Sequence, residues 1–193
     1  MAAVTADAPA TSDVERLAAI VGALSFGRKD VVLASGRPSH FYFDMKPSML
    51  NPEGAFLVTK LLFARCRAAG AAFVGGLEMG AVPITGGIVA YSHQRGEPIA
   101  GFFVRKAAKE HGARKLIEGL APGASLAGKR VVVVEDVTTT GGSAQKVVAA
   151  LREMGAAIDT VLTIVDREEG AVETFAAEGI ALVPLLKASR FLG

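Results

Sequence analysis

Four consecutive valines, Val131 to Val134, run directly into Glu135-Asp136-Val137-Thr138-Thr139-Thr140-Gly141-Gly142-Ser143. An unbroken β-branched run fits a strand buried on both faces; a half-exposed strand would alternate. The character of the chain then changes at once. Two acids, three threonines and two glycines read as a polar turn. Gly142 to Met154 has the spacing of a helix, and Gly155 ends it. A buried strand entering a helix through a glycine turn is part of a βα unit, which commits the chain to an α/β fold.

The rest of the sequence agrees. A first helix starts near Ser12 or Asp13, carries Val14, Leu17, Ala18, Val21 and Leu24 at helical spacing, and stops at Gly27. Val31 to Leu33 reads as a short strand, and Ser35 to Pro38 turns the chain into Phe41-Tyr42-Phe43. Asn51-Pro52-Glu53 is a strong helix start, with a capping Asn and Pro at the first helical position. That helix reaches about Ala69. Further strands are expected at 72–74, 99–104, 130–134, 158–165 and 181–183, with helices at 82–93, 142–154 and 171–177 between them. Such alternation predicts a parallel sheet covered on both faces. No repeat or composition break divides the chain, so residues 1–193 are expected to form a single domain, with 1–11 as a flexible tail. Met45, Met49 and Met154 read as core, and Cys66 and His40 as structural or exposed.

Composition narrows the partners. Lys and Arg number 21 against 19 Asp and Glu, a net charge of +2. A chain so balanced is not built to coat nucleic acid or an anionic membrane, so any anion site must be local. The single cysteine, Cys66, excludes an internal disulfide and suits a reducing compartment. The longest stretch free of charged side chains, Met79 to Gln94, is broken by Pro83 and several glycines, and falls short of the roughly 20 residues a span needs. The N-terminus lacks the basic and apolar regions of a signal peptide. A cytoplasmic location is expected, with no membrane partner.

The stretch after the valines carries chemistry as well as fold. Ligands of open α/β sheets bind at the carboxyl ends of strands. Gly141 and Gly142 let backbone N–H groups close around an anion, the helix N-terminus adds partial positive charge, and Thr139, Thr140 and Ser143 add hydroxyl donors. Glu135 and Asp136 would repel a phosphate unless they face something else, and a ribose diol is the natural partner. The residues therefore suit a ribose 5-phosphate. Neither a G-x-x-x-x-G-K-[ST] loop nor a helix-opening G-x-G-x-x-G competes with this reading.

A second segment concentrates positive charge. Arg105, Lys106, Lys109 and His111 stand close together after a strand, with Arg114 and Lys115 beyond. Such a cluster suits a highly charged anion such as a diphosphate. Gly112, Ala107 and Ala108 would permit movement of a covering loop.

The strand, Glu-Asp and Thr-rich glycine loop resemble the phosphoribosyl diphosphate (PRPP) signature of the type I phosphoribosyltransferases. The spacing R-K-x-x-K-x-H-G is similar to the catalytic loop of the orotate phosphoribosyltransferases in particular. The resemblance extends from about Phe26 to Gly170. Leu33 to Asp44 looks like that family's orotate-binding segment, Val74 to Gly80 like its diphosphate loop, and Asp166-Arg167-Glu168 like its Asp-Arg-Glu segment; Ile117-Glu118-Gly119 also matches. The resemblance implies a Rossmann-like parallel sheet flanked by helices, with a small N-terminal hood. It implies transfer of ribose 5-phosphate from PRPP to orotate in pyrimidine biosynthesis, Mg²⁺ held mainly by substrate oxygens and water, and a homodimer with shared active sites.

Roles follow from the same resemblance. Catalysis falls to Lys109, Arg105, His111 and Asp136, with Lys109 contributing most. PRPP is bound by Arg105, Lys106, Lys109, His111 and the run Glu135, Asp136, Val137, Thr138, Thr139, Thr140, Gly141, Gly142 and Ser143. Orotate falls to Thr139, Arg167, Tyr42 and Phe43, with Arg167 on its carboxylate. Gly75 and Gly76 are expected to let backbone touch phosphate. Two departures stand out: Ala34 and Met79 occupy positions where many members carry Lys. Arg37, or backbone around Met79 and Gly80, would have to compensate. A transferase for another base, a PRPP-responsive nucleic-acid-binding regulator and a dinucleotide-dependent dehydrogenase are the competing readings. The near-neutral charge and the missing G-x-G-x-x-G weigh against the last two.

Overall fold

The computed structural model describes residues 11–32, 36–106 and 116–193. Lys109, His111, Ala34 and tail residues 1–10 lie outside the described residues. Helix α1 runs from Thr11 to Leu24, and an antiparallel hairpin follows, β1 (Phe26–Val32) with β2 (Pro38–Phe43). Helices α2 (Lys46–Leu50) and α3 (Pro52–Ala68) lead into β3 (Phe73–Leu77), α4 (Ala81–Gln94) and β4 (Ala100–Val104). The chain continues as β5 (Ile117–Glu118), β6 (Val131–Thr138), α5 (Gly142–Glu153), β7 (Thr160–Asp166), α6 (Ala171–Ala176), β8 (Ala181–Lys187) and α7 (Ser189–Leu192).

The central sheet has the order β5-β4-β3-β6-β7-β8. Every pairing is parallel except that of the short edge strand β5 with β4. The valine run does lie at the centre of a sheet covered on both faces. Val132 and Val134 pack into a core with residues of α1, α3 and α4, such as Leu17, Leu61 and Ile84. Val131 and Val133 pack on the opposite face with Val147 and Leu151 of α5 and Phe175 of α6. The chain builds outward from β3 through β4 to β5, then jumps back to β6 on the other side of β3. The break in winding between β3 and β6 opens a crevice at their carboxyl ends.

Local signals fared well where they were strong. The Asn51 side chain accepts hydrogen bonds from the Glu53 and Gly54 N–H groups at 3.1 and 3.0 Å, capping α3 as expected. Met45 and Met49 are buried, whereas Met154 is the C-cap of α5 and 43% exposed, so it is not core. Gly27 does not stop the first helix, which ends at Leu24; it lies inside β1, where the Tyr42 ring crosses it so closely that a β-carbon would sit 2.5 Å away. Gly75 and Gly76 are buried in β3, and β-carbons there would meet the Phe102 carbonyl at 2.4 Å and the Val134 carbonyl at 2.1 Å. Sheet packing requires glycine at both positions.

The hairpin forms the expected hood. It is a separate two-stranded sheet. Phe26 stacks on Phe191 of α7 and Phe43 meets the same ring edge-on, with centroids 5.6 and 5.4 Å away. Arg167, just after β7, holds the same face of the hairpin through Ser39 and Phe41.

Candidate active site

Strand β6 extends through the two acids and ends at Thr138, which pairs with Asp166. Glu135, Asp136, Val137 and Thr138 therefore belong to the strand, and the turn proper is Thr139 to Gly141. Gly141 caps α5 with φ +87°, a left-handed conformation, and its missing side chain makes room for the Phe175 ring, 2.9 Å from where a β-carbon would stand. Thr139, Thr140 and Gly142 are half-buried and Ser143 is exposed, so the turn and first helical turn face solvent. Val137 packs against the core, and the buried Thr138 hydroxyl is already committed.

The two acids have different surroundings. Glu135 is buried, and its Oε2 accepts the Thr138 hydroxyl at 3.0 Å. Burial pushes its pKa up to about 8, opposed by that hydrogen bond. The Asp136 carboxylate lies against Gly80, where a β-carbon would meet Oδ1 at 2.4 Å. Burial raises its pKa as well, and backbone hydrogen bonds and the charge of Lys46 pull it back. Gly80 caps α4, so the loop after β3 and Asp136 of β6 meet across the crevice.

Lys46 is a residue that sequence reasoning passed over. It opens α2, its Nζ sits 2.6 Å from Asp44 Oδ1, and its side chain is 72% exposed. Its charge also interacts with Asp136. The signal available was the Asp-x-Lys spacing just after Phe43, which starts at the last residue of the segment already read as substrate-binding.

Of the cationic segment, Arg105 and Lys106 are described. Arg105 follows β4, and its Nη1 lies 3.5 Å from Glu118 Oε1 and 4.0 Å from Glu78 Oε2. Lys106 is exposed, and its backbone N–H donates to Glu78 Oε1 at 3.0 Å.

Arg167 is held in place. Its side chain is 2% exposed; Nε donates to Glu169 Oε1 at 2.8 Å and Nη2 to Ser39 Oγ at 2.9 Å. The guanidinium carbon also lies 4.2 Å from the centre of the Phe41 ring. In β2 the exposure alternates. Phe41 and Phe43 therefore share the packed face, and Tyr42 points the other way, over Gly27. The structure brings Phe41 to Arg167, and the Tyr42 ring away from it.

The carboxyl ends of β3, β4, β6 and β7 thus bring together Gly80, Arg105, Asp136 with its glycine turn, and Arg167. A family model for the Phosphoribosyl transferase domain matches residues 50–177. The orotate phosphoribosyltransferase of Rhodopseudomonas palustris strain TIE-1 is 59% identical over 92% of this chain and 95% of its own length. The chain belongs to the orotate phosphoribosyltransferase family. The Bradyrhizobium sp. ORS 278 orotate phosphoribosyltransferase is 58% identical over 92% of this chain and 96% of its own. The Mycobacterium tuberculosis orotate phosphoribosyltransferase, solved in complex with PRPP, superposes with a TM-score of 0.75 at 35% identity, covering 94% of this chain and 99% of that one. The expected type I phosphoribosyltransferase fold is therefore present. Among the described residues, no helix is long and apolar enough to cross a membrane.

Proposed function

We propose that this chain, as a single catalytic domain, transfers ribose 5-phosphate from PRPP to orotate, giving orotidine 5′-monophosphate and diphosphate. The observation that carries the reading is the crevice between β3 and β6, where the Thr139–Gly141 turn and the N-terminus of α5 adjoin Asp136. The turn takes the 5′-phosphate through N–H groups of residues 139–143 and the hydroxyls of Thr139, Thr140 and Ser143. Asp136 and Glu135 take the ribose hydroxyls. The bond from the anomeric carbon to diphosphate breaks with its electrons leaving on diphosphate, and the ring carries positive charge in the transition state. The Asp136 carboxylate beside that ring and cations beside the leaving group stabilise the separated charges. Arg105 and Lys106 supply cations at the end of β4. Lys109 and His111, further along the same segment, are assigned to the diphosphate with them.

Orotate enters between the turn and the hood. Its carboxylate pairs with Arg167, whose fork is preset by Ser39 and Glu169, and Thr139 and backbone at Tyr42 and Phe43 border the ring. N1 forms the new bond to the anomeric carbon, and its proton passes to solvent or to the departing diphosphate. Lys46 is the cation best placed to offset the absence of Lys at Ala34 and Met79. Among the described residues there is no group of three His, Cys, Asp or Glu that could hold a metal. Asp136 offers a single oxygen donor set, which fits Mg²⁺ arriving on substrate oxygens with most of its waters retained. When bound, Mg²⁺ neutralises charge on the diphosphate. The single buried Cys66 suits a cytoplasmic setting.

Orotate consumption, followed by absorbance in the presence of PRPP and Mg²⁺, tests the reaction. Turnover with adenine, hypoxanthine or uracil but not orotate would show that the base is wrong. The site is completed by a second copy of the chain. Mixing Lys109→Ala with Asp136→Ala chains should restore activity; no recovery would rule out shared sites.

A further inference from the structure

We propose that Glu78 is a positioning residue that sets Arg105 and the main chain of Lys106 for the leaving diphosphate. The proposal rests on the transferase reading above. An acid in a loop expected to face diphosphate has the wrong charge: left bare, it would repel the ligand. It is not bare. Its Oε1 accepts the Lys106 N–H at 3.0 Å, and its Oε2 lies 4.0 Å from Arg105 Nη1. Its own N–H donates to the Val104 carbonyl at 2.8 Å, so Glu78 is tied by backbone to the last residue of β4 and by side chain to the next two. One residue thus joins the loop after β3 to the start of the cationic segment after β4.

The arrangement around Arg105 gives this tie a purpose. Glu118 Oε1 approaches the same Nη1 at 3.5 Å, so the guanidinium is steered by two carboxylates toward one of its nitrogens. Its Nε is buried and has no hydrogen-bond partner among the described residues. An unsatisfied buried donor costs about 1–3 kcal/mol, and such a group calls for an explanation. A guanidinium fixed at one nitrogen, with another N–H unspent, is preset to receive an oxyanion. The charge of Glu78 thus works against the ligand while its geometry works for it. The two effects predict opposite outcomes when the carboxylate is removed.

The test is binding of inorganic diphosphate, measured by calorimetry without orotate, on the wild-type chain and on Glu78→Ala, Glu78→Gln, Arg105→Ala and the Glu78→Ala/Arg105→Ala double variant. Glu78→Ala should weaken binding about 5-fold or more and lower kcat with orotate and PRPP. Glu78→Gln, which keeps an acceptor for the Lys106 N–H, should fall between. The double variant should lose less than the product of the two single losses, because part of the effect of Glu78 runs through Arg105. Unchanged or tighter binding by Glu78→Ala would overturn the proposal, as would losses that multiply in the double variant. If Glu78→Ala does not fold, Glu78→Gln and Glu78→Asp carry the same comparison, and wild-type affinity in both would overturn it. Failure of the wild-type chain to turn over orotate would instead strike at the transferase reading, since diphosphate binding is measured independently.

Discussion

Asp136 rests on the α-carbon of Gly80: a β-carbon added there would stand 2.4 Å from Oδ1 and 2.5 Å from Cγ of the carboxylate. Gly80 itself has φ −57° and ψ −40°, ordinary helical values that alanine adopts freely. A Gly80→Ala change is therefore a steric test of one carboxylate, without backbone strain. It should displace Asp136 from the ribose and lower kcat/KM for PRPP about 10- to 100-fold, the scale expected for a misplacement near 1 Å. In an Asp136→Ala background the same change should have little further effect. Steady-state kinetics on the three variants checks this; equal losses in both backgrounds would mean that Gly80 acts elsewhere.

Glu135 gives a prediction about pH. Its pKa rises from the ordinary 4.5 to about 8 because burial disfavours the charged form. The folded state therefore holds this proton more tightly than the unfolded chain. The stabilising contribution is complete below about pH 4.5 and is lost as pH rises through about 8. Glu135→Gln cannot ionise and should remove that loss. Urea unfolding at pH 5, 7 and 9, at fixed protein concentration, should show the variant gaining on the wild type as pH rises, by a few kcal/mol at most. A constant difference across this range would show that Glu135 ionises normally in the folded chain.

The signals that could be read in the sequence were the local ones. Asn51-Pro52 caps and starts α3 within a few residues, and the valine run needs only its own composition to be placed at the centre of a sheet. The β6 boundary was misjudged because acids and threonines resemble turn residues. Strand pairing carries the ladder on to Thr138 and Asp166, and Thr138 satisfies Glu135 inside it. Helix α2 is too short for periodicity to show. The two-residue strand β5 exists only through its antiparallel pairing with β4, across a gap no local pattern reveals. The need for glycine at 75 and 76 comes from Phe102 and Val134, which lie on other strands and leave no local sign. Lys46 and Glu78 were missed for the same reason. Each gains its meaning from a partner far away in the chain, although an acid in an anion-binding loop was itself a hint of pairing. Cys66 was read correctly as structural: it is buried, with its thiol pKa pushed up to about 12.

Lys46 separates binding from stability. Its ion pair with Asp44 is exposed, so its loss should change the unfolding free energy by less than about 1 kcal/mol. If its ammonium meets a substrate oxyanion beside Asp136, Lys46→Ala forfeits a charge-assisted hydrogen bond worth roughly 1.5 kcal/mol, close to 10-fold in affinity. KM for PRPP should rise by about that factor while the melting temperature stays near wild type. Lys46→Arg should recover most of the loss. An unchanged KM in Lys46→Ala would mean that another group replaces the missing lysines.

Arg167 is expected to behave in the opposite way, because it serves both the fold and the ligand. Its guanidinium joins Glu169 to Ser39 and sits over Phe41, which pins the hood to the end of β7. Lysine keeps the charge but has neither the fork nor the flat face for the ring. Arg167→Lys should therefore destabilise the chain by about 1–3 kcal/mol, less than a fully buried broken pair because Glu169 keeps some access to water. It should also raise KM for orotate while leaving KM for PRPP within about 2-fold, since the PRPP turn lies on β6 and α5 and not on this latch. Ser39→Ala removes one anchor without touching the charge, so it should show a smaller loss of stability and a smaller rise in the orotate KM, in the same proportion. Thermal unfolding together with separate saturation curves for the two substrates measures all of these. A rise confined to the PRPP curve would move Arg167 out of the orotate site.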